Sequence, residues 1–321
     1  MDLIYADEKR EEIGVLMDCS FDLAFGSDEN DFTVTVSINN NICSKGYWIY
    51  VEGTEYGGIV DDQKVDTEQK KIVYHGRTFH GILEKKIIEP DAGEDYLIVS
   101  GDVNTLIGNI ISRIGMNDIF EIDAEKASGL MVNKYQFERY IDAYKGICSM
   151  VAAAGGKLHI EWHNGIAVMA AVPVEDYTDD EIDSDHVAFV IKKHFITTNH
   201  LICLGKGNLK ERQILHLYLD EKGEIAKTQY FFGLQELTET FDYPNAESLE
   251  ELERYGKRRL LELNEKDDMQ LKLNDTYAFD VGDVITASEV ITGISLTRVI
   301  KKKIVTINKG ILKIEYKVGE K

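Results

Sequence analysis

Between Phe32 and Ile38 the chain alternates strictly. Phe32, Val34, Val36 and Ile38 fall on one side, and Thr33, Thr35 and Ser37 on the other. Side chains of an extended backbone point to opposite faces with a period of two, so this stretch is a half-buried strand. Similar short runs recur at 47–52, at 59–66 after a break at Gly57-Gly58, and at 72–76 and 78–88, the spacing of a small barrel or sandwich. Further strands are predicted at 187–195, 200–204, 213–219 and 226–232, with a hairpin turn at Asp220-Glu221-Lys222-Gly223. The last fifty residues repeat the theme at 270–273, 284–287, 289–300, 303–308 and 311–318, where Asn308-Lys309-Gly310 turns the final pair. Such a chain folds as a mainly β protein.

Helices are confined to three places. Asp102 caps a run in which Val103, Leu106, Ile107, Ile110, Ile111 and Ile114 share one face, and Gly115 follows as a stop. A second helix is predicted over 136–154, burying Phe137, Ile141, Tyr144, Cys148 and Val151 and ending at Gly155-Gly156. The third, over 248–264, opens with a capping box of Ser248 and Glu251. Between the second and third lies a hairpin, 158–163 and 166–172, around Asn164-Gly165, a dipeptide suited to a type I′ turn. The acidic stretch 174–185 reads as an exposed connection. Three prolines in 321 residues and the lack of a Ser/Gly/Pro linker leave units that pack directly on one another.

Composition excludes several functions. With 57 acidic residues against 36 basic ones the formal charge is −21, which repels a nucleic-acid backbone. Lys257-Arg258-Arg259 and Lys301-Lys302-Lys303 are the only compact basic runs, and both read as solvated element ends. No apolar run approaches the roughly 18 residues of a membrane span, and the charged start MDLIYADEKREEIG is unlike a signal peptide. Neither a membrane anchor nor secretion is expected. Cys19, Cys43, Cys148 and Cys203 are scattered and read as small buried residues, without a zinc or disulfide framework.

Each apparent site dissolves on spacing. His159 and His163 lie on a strand about 13 Å apart, too far for one metal ion with bonds of about 2 Å. Gly205-Lys206-Gly207 lacks the Walker spacing and reads as a turn. The cluster Asp179, Asp180, Glu181, Asp183 and Asp185 fails as an EF-hand loop, with Ser184 in place of the glycine and Val190 in place of the last glutamate. GxSxG, HExxH and cysteine-protease signatures are absent. No catalytic, cofactor or metal residues are assigned, and no enzyme activity or cofactor is expected.

Three segments carry a resemblance. The first is FDLAFGSDENDF at 21–32, followed by GTEYGGIVDDQKVDTEQKKIVYHGRTFHGIL at 53–83. The second is LGKGNLKERQILHLYLD at 204–220. The third is FDVGDVITASEVITG at 279–293 with the ending KKKIVTINKGILKIEYKVG. Together they resemble the hub proteins of phage tails and phage-tail-like particles, a family similar to the baseplate hub of contractile-tailed phages. The resemblance implies an α+β fold, mainly β with α/β insertions, in which two small β-barrels are joined by helix-containing domains. On that basis 1–90 is an N-terminal β-barrel, 91–175 an α/β insertion, 176–244 a second β unit, and 245–321 a helix plus C-terminal β-barrel. It further implies a homotrimer in the tail of a virion or phage-like particle, assembled in the host cytoplasm. The implied partners are tail tube, distal tail, tape-measure and spike or tail-tip proteins. DNA would pass through an acidic lumen without specific binding. Gly57, Gly58, Gly76, Gly205, Gly207 and Gly282 are expected to mark turns. Two other readings stand beside this one. A tail-associated peptidoglycan hydrolase is disfavoured because the sequence ends directly after its last β unit. A receptor or glycan binder would display aromatics, whereas Trp48 and Trp162 sit in strand patterns that pack inward.

Overall fold

The computed structural model describes residues 1–122, 128–183, 188–192, 197–246, 248–264, 268–273, 279–308 and 310–319, with backbone alone at 179–183, 188, 189, 191, 192 and 268–273. The protein is mainly β, and its contacts divide it into two units: residues 1–189 with 270–319, and residues 190–269.

The larger unit begins with strands β1 (Ile4–Ala6), β2 (Glu12–Val15), β3 (Ser20–Gly26), β4 (Asp31–Ser37), β5 (Trp48–Tyr50), β6 (Gly57–Asp66) and β7 (Lys71–Thr78). Helix α1 (Phe79–Glu84), strands β8 (Ile87–Ile88) and β9 (Ile98–Asp102), and helix α2 (Val103–Arg113) follow. Then come β10 (Phe120–Ile122), β11 (Met131–Gln136), β12 (Ile141–Asp142), α3 (Ala143–Ala153), β13 (Gly156–His163), β14 (Ile166–Pro173) and β15 (Asp176–Asp183). The smaller unit holds most of β16 (Ala188–Lys192), β17 (His200–Leu204), β18 (Ile214–Leu219), β19 (Ile225–Ala226), β20 (Thr238–Asp242) and α4 (Leu249–Asn264). The chain then returns to the larger unit through β21 (Asp268–Leu273), β22 (Val284–Ser288), β23 (Ser295–Asn308) and β24 (Ile311–Gly319).

The main sheet runs in the order β21-β24-β23-β3-β4-β7-β6-β5-β1-β2, with β22 on β23 and β15 on β22. Among the described residues no pairing closes this path into a barrel. Alternation does what the sequence predicts in β4: Phe32, Val34 and Val36 are buried, and the hydroxyl residues between them are not. They join Phe21, Leu23, Ile49, Tyr74, Val305 and Ile307 in one core. A second core gathers Phe79, Ile107, Ile147, Met169 and Trp162 from α1–α3 and the β13–β14 hairpin. Trp162 is fully buried and stacks on Trp48 at 5.1 Å, so the tryptophans do pack inward. The smaller unit is a two-layer fold in which Leu252, Leu260 and Leu263 of α4 cover Leu201, Cys203, Leu217 and Leu219 of its sheet.

Several local expectations are corrected. The run 78–88 is not one strand. Thr78 accepts a hydrogen bond from the Gly81 amide at 3.1 Å, capping α1. The second helix starts at Ala143, not 136, because Asp142 accepts the Lys145 amide at 2.8 Å and sets the N-terminus there. The stretch expected to connect units becomes β15, parallel to β22. The strands predicted at 289–300 and 303–308 form one strand from Ser295, with a register shift at Ile300/Lys302. Of the strand predicted at 226–232 only Ala226 is paired, as the last residue of the two-residue strand Ile225–Ala226. Gly57, Gly58 and Gly76 are not turn residues. Gly57 opens β6 and pairs with Tyr50, and Gly58 and Gly76 lie within paired strands, where a Cβ would stand 1.9 Å from Arg77 O and 2.0 Å from Ile59 O.

Candidate functional site

Strand β13 alternates as β4 does, but its second face is charged. Leu158, Ile160 and Trp162 point to the core side, and Lys157, His159, Glu161 and His163 occupy the other. Lys157 bonds both oxygens of Asp283, at 2.7 and 2.8 Å, and reaches Asp280 at 3.3 Å. His159 Nδ1 lies 3.8 Å from Asp280, and its Nε2 lies 2.9 Å from Glu161. Glu161 also meets His163 at 3.0 Å. The two histidines of the apparent metal pair are therefore bridged by a carboxylate.

Lys303 of β23 enters the same network. Its ammonium bonds Glu55 at 2.8 Å and Asp280 at 3.2 Å, within 6 Å of the rings of Phe25, Tyr56 and Tyr316. Asp283 is fully buried and its oxygens also accept the amides of Glu175 and Asp280. Gly282 permits this loop. Its φ is +106°, and a Cβ would come within 2.9 Å of Lys157 Cβ. Lys302, its side chain 3 % exposed, is held by Glu29 and by Asp28. The basic run at 301–303 is thus not a solvated strand end: two of its three lysines are buried and paired. Lys257-Arg258-Arg259, by contrast, does lie on a helix surface, paired with Glu253 and Glu262.

Burial opposes the charge of Lys303, yet Glu55, then Tyr56 and Asp280, hold its pKa well above the usual lysine range. Desolvation raises Glu55 against the pull of Lys303. Asp280 ends below the usual carboxylate range because Lys303, Lys157 and His159 outweigh its desolvation. His80, buried beside them, stacks on Phe25 at 4.2 Å and meets Tyr144 edge-on. Burial first, and then the positive charges of Lys303 and His159, bring it down to about 3.

Donor atoms of Glu55, His159 and Asp280 lie within 4.8 Å of one another, a spacing a metal ion could use. The Lys303 ammonium already bridges the two carboxylates, so a metal would have to displace a buried, multiply bonded cation. Over this floor opens a cleft of about 1030 Å³, walled by Phe25, Tyr144, Leu158 and Val281 and rimmed by Glu84 and Asp142. Burial pushes the Cys43 and Cys148 thiols up to about 12 and Cys203 to about 11, so none offers a thiolate at neutral pH.

In the turn at 205–207 Gly207 has φ +109°, and Arg212 folds back to bond the carbonyls of Leu204 and Gly205 and the carboxylate of Asp242. That guanidinium holds the turn closed and is not turned outward toward an anion. Asp185 lies outside the described residues, as do the side chains of Asp179, Asp180, Glu181 and Asp183. The network itself was missed. Its partners lie far apart in sequence, and the one available signal was an inward-facing lysine in an alternating strand.

No family model and no curated protein matches the sequence. Solved structures do match the fold. The 43 kDa tail protein of prophage MuSo2 from Shewanella oneidensis aligns over 100 % of this chain and 98 % of its own, with 10 % identity and a TM-score of 0.57. The tail protein from Neisseria meningitidis MC58 aligns over 99 % and 96 %, with 13 % identity and a TM-score of 0.52. A chain of the phage P2 baseplate in its activated conformation aligns over 99 % and 98 %, with 11 % identity and a TM-score of 0.52. The protein has the fold of phage tail and baseplate proteins, the class that its sequence motifs resemble.

Proposed function

We propose that the chain is a structural subunit of a phage or phage-like tail, the trimeric hub at the tail tip that joins the tube to spike or tail-tip proteins. One observation carries this reading: the likeness to tail proteins runs end to end, over 99–100 % of this chain and 96–98 % of theirs. A shared domain inside unrelated proteins would align over part of one partner only. The ionic floor fits a structural role, since its carboxylates are occupied by lysines. The two-barrel arrangement and the acidic lumen belong to the same proposal. The test is immunogold labelling of tail particles purified from the producing strain, with quantitative mass spectrometry for copy number. Label at one end of the tail, at three copies per particle, is expected. Label along the tube, or particles without the chain, would overturn the reading.

A further inference from the structure

We infer that the cleft over the ionic floor binds a basic side chain, an arginine or lysine presented on an extended segment of a partner protein. Its lining carries six carboxylates, Asp28, Glu55, Glu84, Asp142, Asp176 and Asp280, against Lys145, Lys157 and Lys301. The groups directly behind, Lys302 and Lys303 with Glu29 and Asp283, add two charges of each sign and leave the negative excess unchanged. A cation therefore gains, and an anion loses, on entering.

A second observation points the same way. His80 lines the cleft, is 2 % exposed, and its Nδ1 has no hydrogen-bond partner among the described residues. Its Nε2 faces a Glu55 oxygen at 4.0 Å, beyond hydrogen-bond reach, and the nearby carboxylate favours the tautomer with the ring hydrogen on Nε2 and the lone pair on Nδ1. A buried acceptor of this kind is matched by an N–H donor, which guanidinium and ammonium groups supply and a carboxylate or phosphate does not. The apolar wall of Phe25, Tyr144, Leu158 and Val281 suits the methylene stem that carries such a head group. The source of the segment, another tail subunit, rests on the role proposed above; the binding chemistry does not.

The test uses the full chain and blocked pentapeptides, acetyl-Ala-Ala-X-Ala-Ala-amide, with X as arginine, lysine, citrulline or leucine, titrated by calorimetry and ligand-observed NMR. The arginine and lysine peptides are expected to bind at least about tenfold more tightly than the citrulline and leucine peptides. His80→Phe keeps the aromatic stack and removes the acceptor. The pair Glu84→Gln and Asp142→Asn removes rim charge while an asparagine still caps α3. Each is expected to weaken the arginine peptide about tenfold with the circular dichroism spectrum unchanged. Equal binding of citrulline, preference for leucine, no cationic binding at millimolar peptide, or indifference to the rim pair would each overturn the inference. If the rim pair instead dissociates a self-assembly seen by light scattering, the occupant is a second copy of this chain and the partner reading fails. Peptide binding by a chain absent from tail particles would keep the cleft and remove the tail role; labelled tail tips without peptide binding would do the reverse.

Discussion

Replacing Lys303 by methionine tests how the buried network is held. The lysine side chain is 6 % exposed, and methionine keeps most of its stem, so the change is nearly confined to the ammonium. Glu55, 9 % exposed, loses its direct cation, whereas Asp280, 27 % exposed, keeps Lys157 at 3.3 Å and some water. The stranded charge is therefore chiefly Glu55. Removing one partner of a buried pair costs about 3–5 kcal/mol, while replacing both by apolar groups is often neutral. Lys303→Met is expected to lower stability by that amount and the double variant with Glu55→Met to recover to within roughly 1 kcal/mol of the parent. In a unit of this size the single change corresponds to a loss on the order of 10 °C in melting temperature. Both tryptophans, Trp48 and Trp162, lie in the core of the same unit, so urea unfolding followed by their fluorescence reads that unit alone. A single variant losing less than about 1 kcal/mol, or a double variant losing the sum of the two singles, would refute the account.

His80 predicts an acid sensitivity. Its folded pKa lies at about 3, below the unfolded value of ~6.5, so between these the unfolded chain binds a proton that the folded chain refuses. Stability contributed by the neutral ring is intact above ~6.5 and falls by about 1.4 kcal/mol per pH unit below it; His80→Phe should flatten the urea midpoint between pH 7 and pH 5. In α4, a Cβ on Gly256 would stand 2.5 Å from Cys203 Sγ and 2.9 Å from Leu217. Gly256→Ala should therefore destabilise the smaller unit by about 1–3 kcal/mol despite the better helix propensity of alanine, read as faster limited proteolysis within 190–269. Asp102 accepts the Thr105 amide at 2.9 Å, and Asp102→Ala should cost about 1 kcal/mol, seen as faster amide exchange in α2, while asparagine should cost less.

What was legible in the sequence was local. The α2 helix declares itself through Asp102, its apolar face and Gly115, all within fourteen residues, and the Asn164-Gly165 hairpin through two residues whose φ values of +50° and +85° fit the predicted turn. Helix α1 escaped because six residues are too few to show a helical period; only the Thr78 cap signals it. The buried network escaped for a different reason. A lysine in a strand reads as solvated until its counter-ion is known, and Glu55 lies 248 positions from Lys303. Tail-type architecture was legible through motif resemblance. The cleft was not, since its walls come from elements that meet only in the fold.

The pairing of β3 has a consequence for how the chain is made. On one side β3 takes β4, its neighbour in sequence; on the other it takes β23, with Ser20 opposite Asn308 and Gly26 opposite Lys302. The contact is close enough that a Cβ on Gly26 would lie 2.1 Å from the Lys301 carbonyl. During translation the open edge of β3, with Phe21, Leu23 and Phe25 beside it, must wait until β23, far along the chain, has been made. An unpaired apolar edge on a nascent chain invites pairing with the next one on the same polysome. The formal charge of −21 then acts during synthesis as well as in the folded protein, keeping neighbouring unfinished chains apart until β23 arrives.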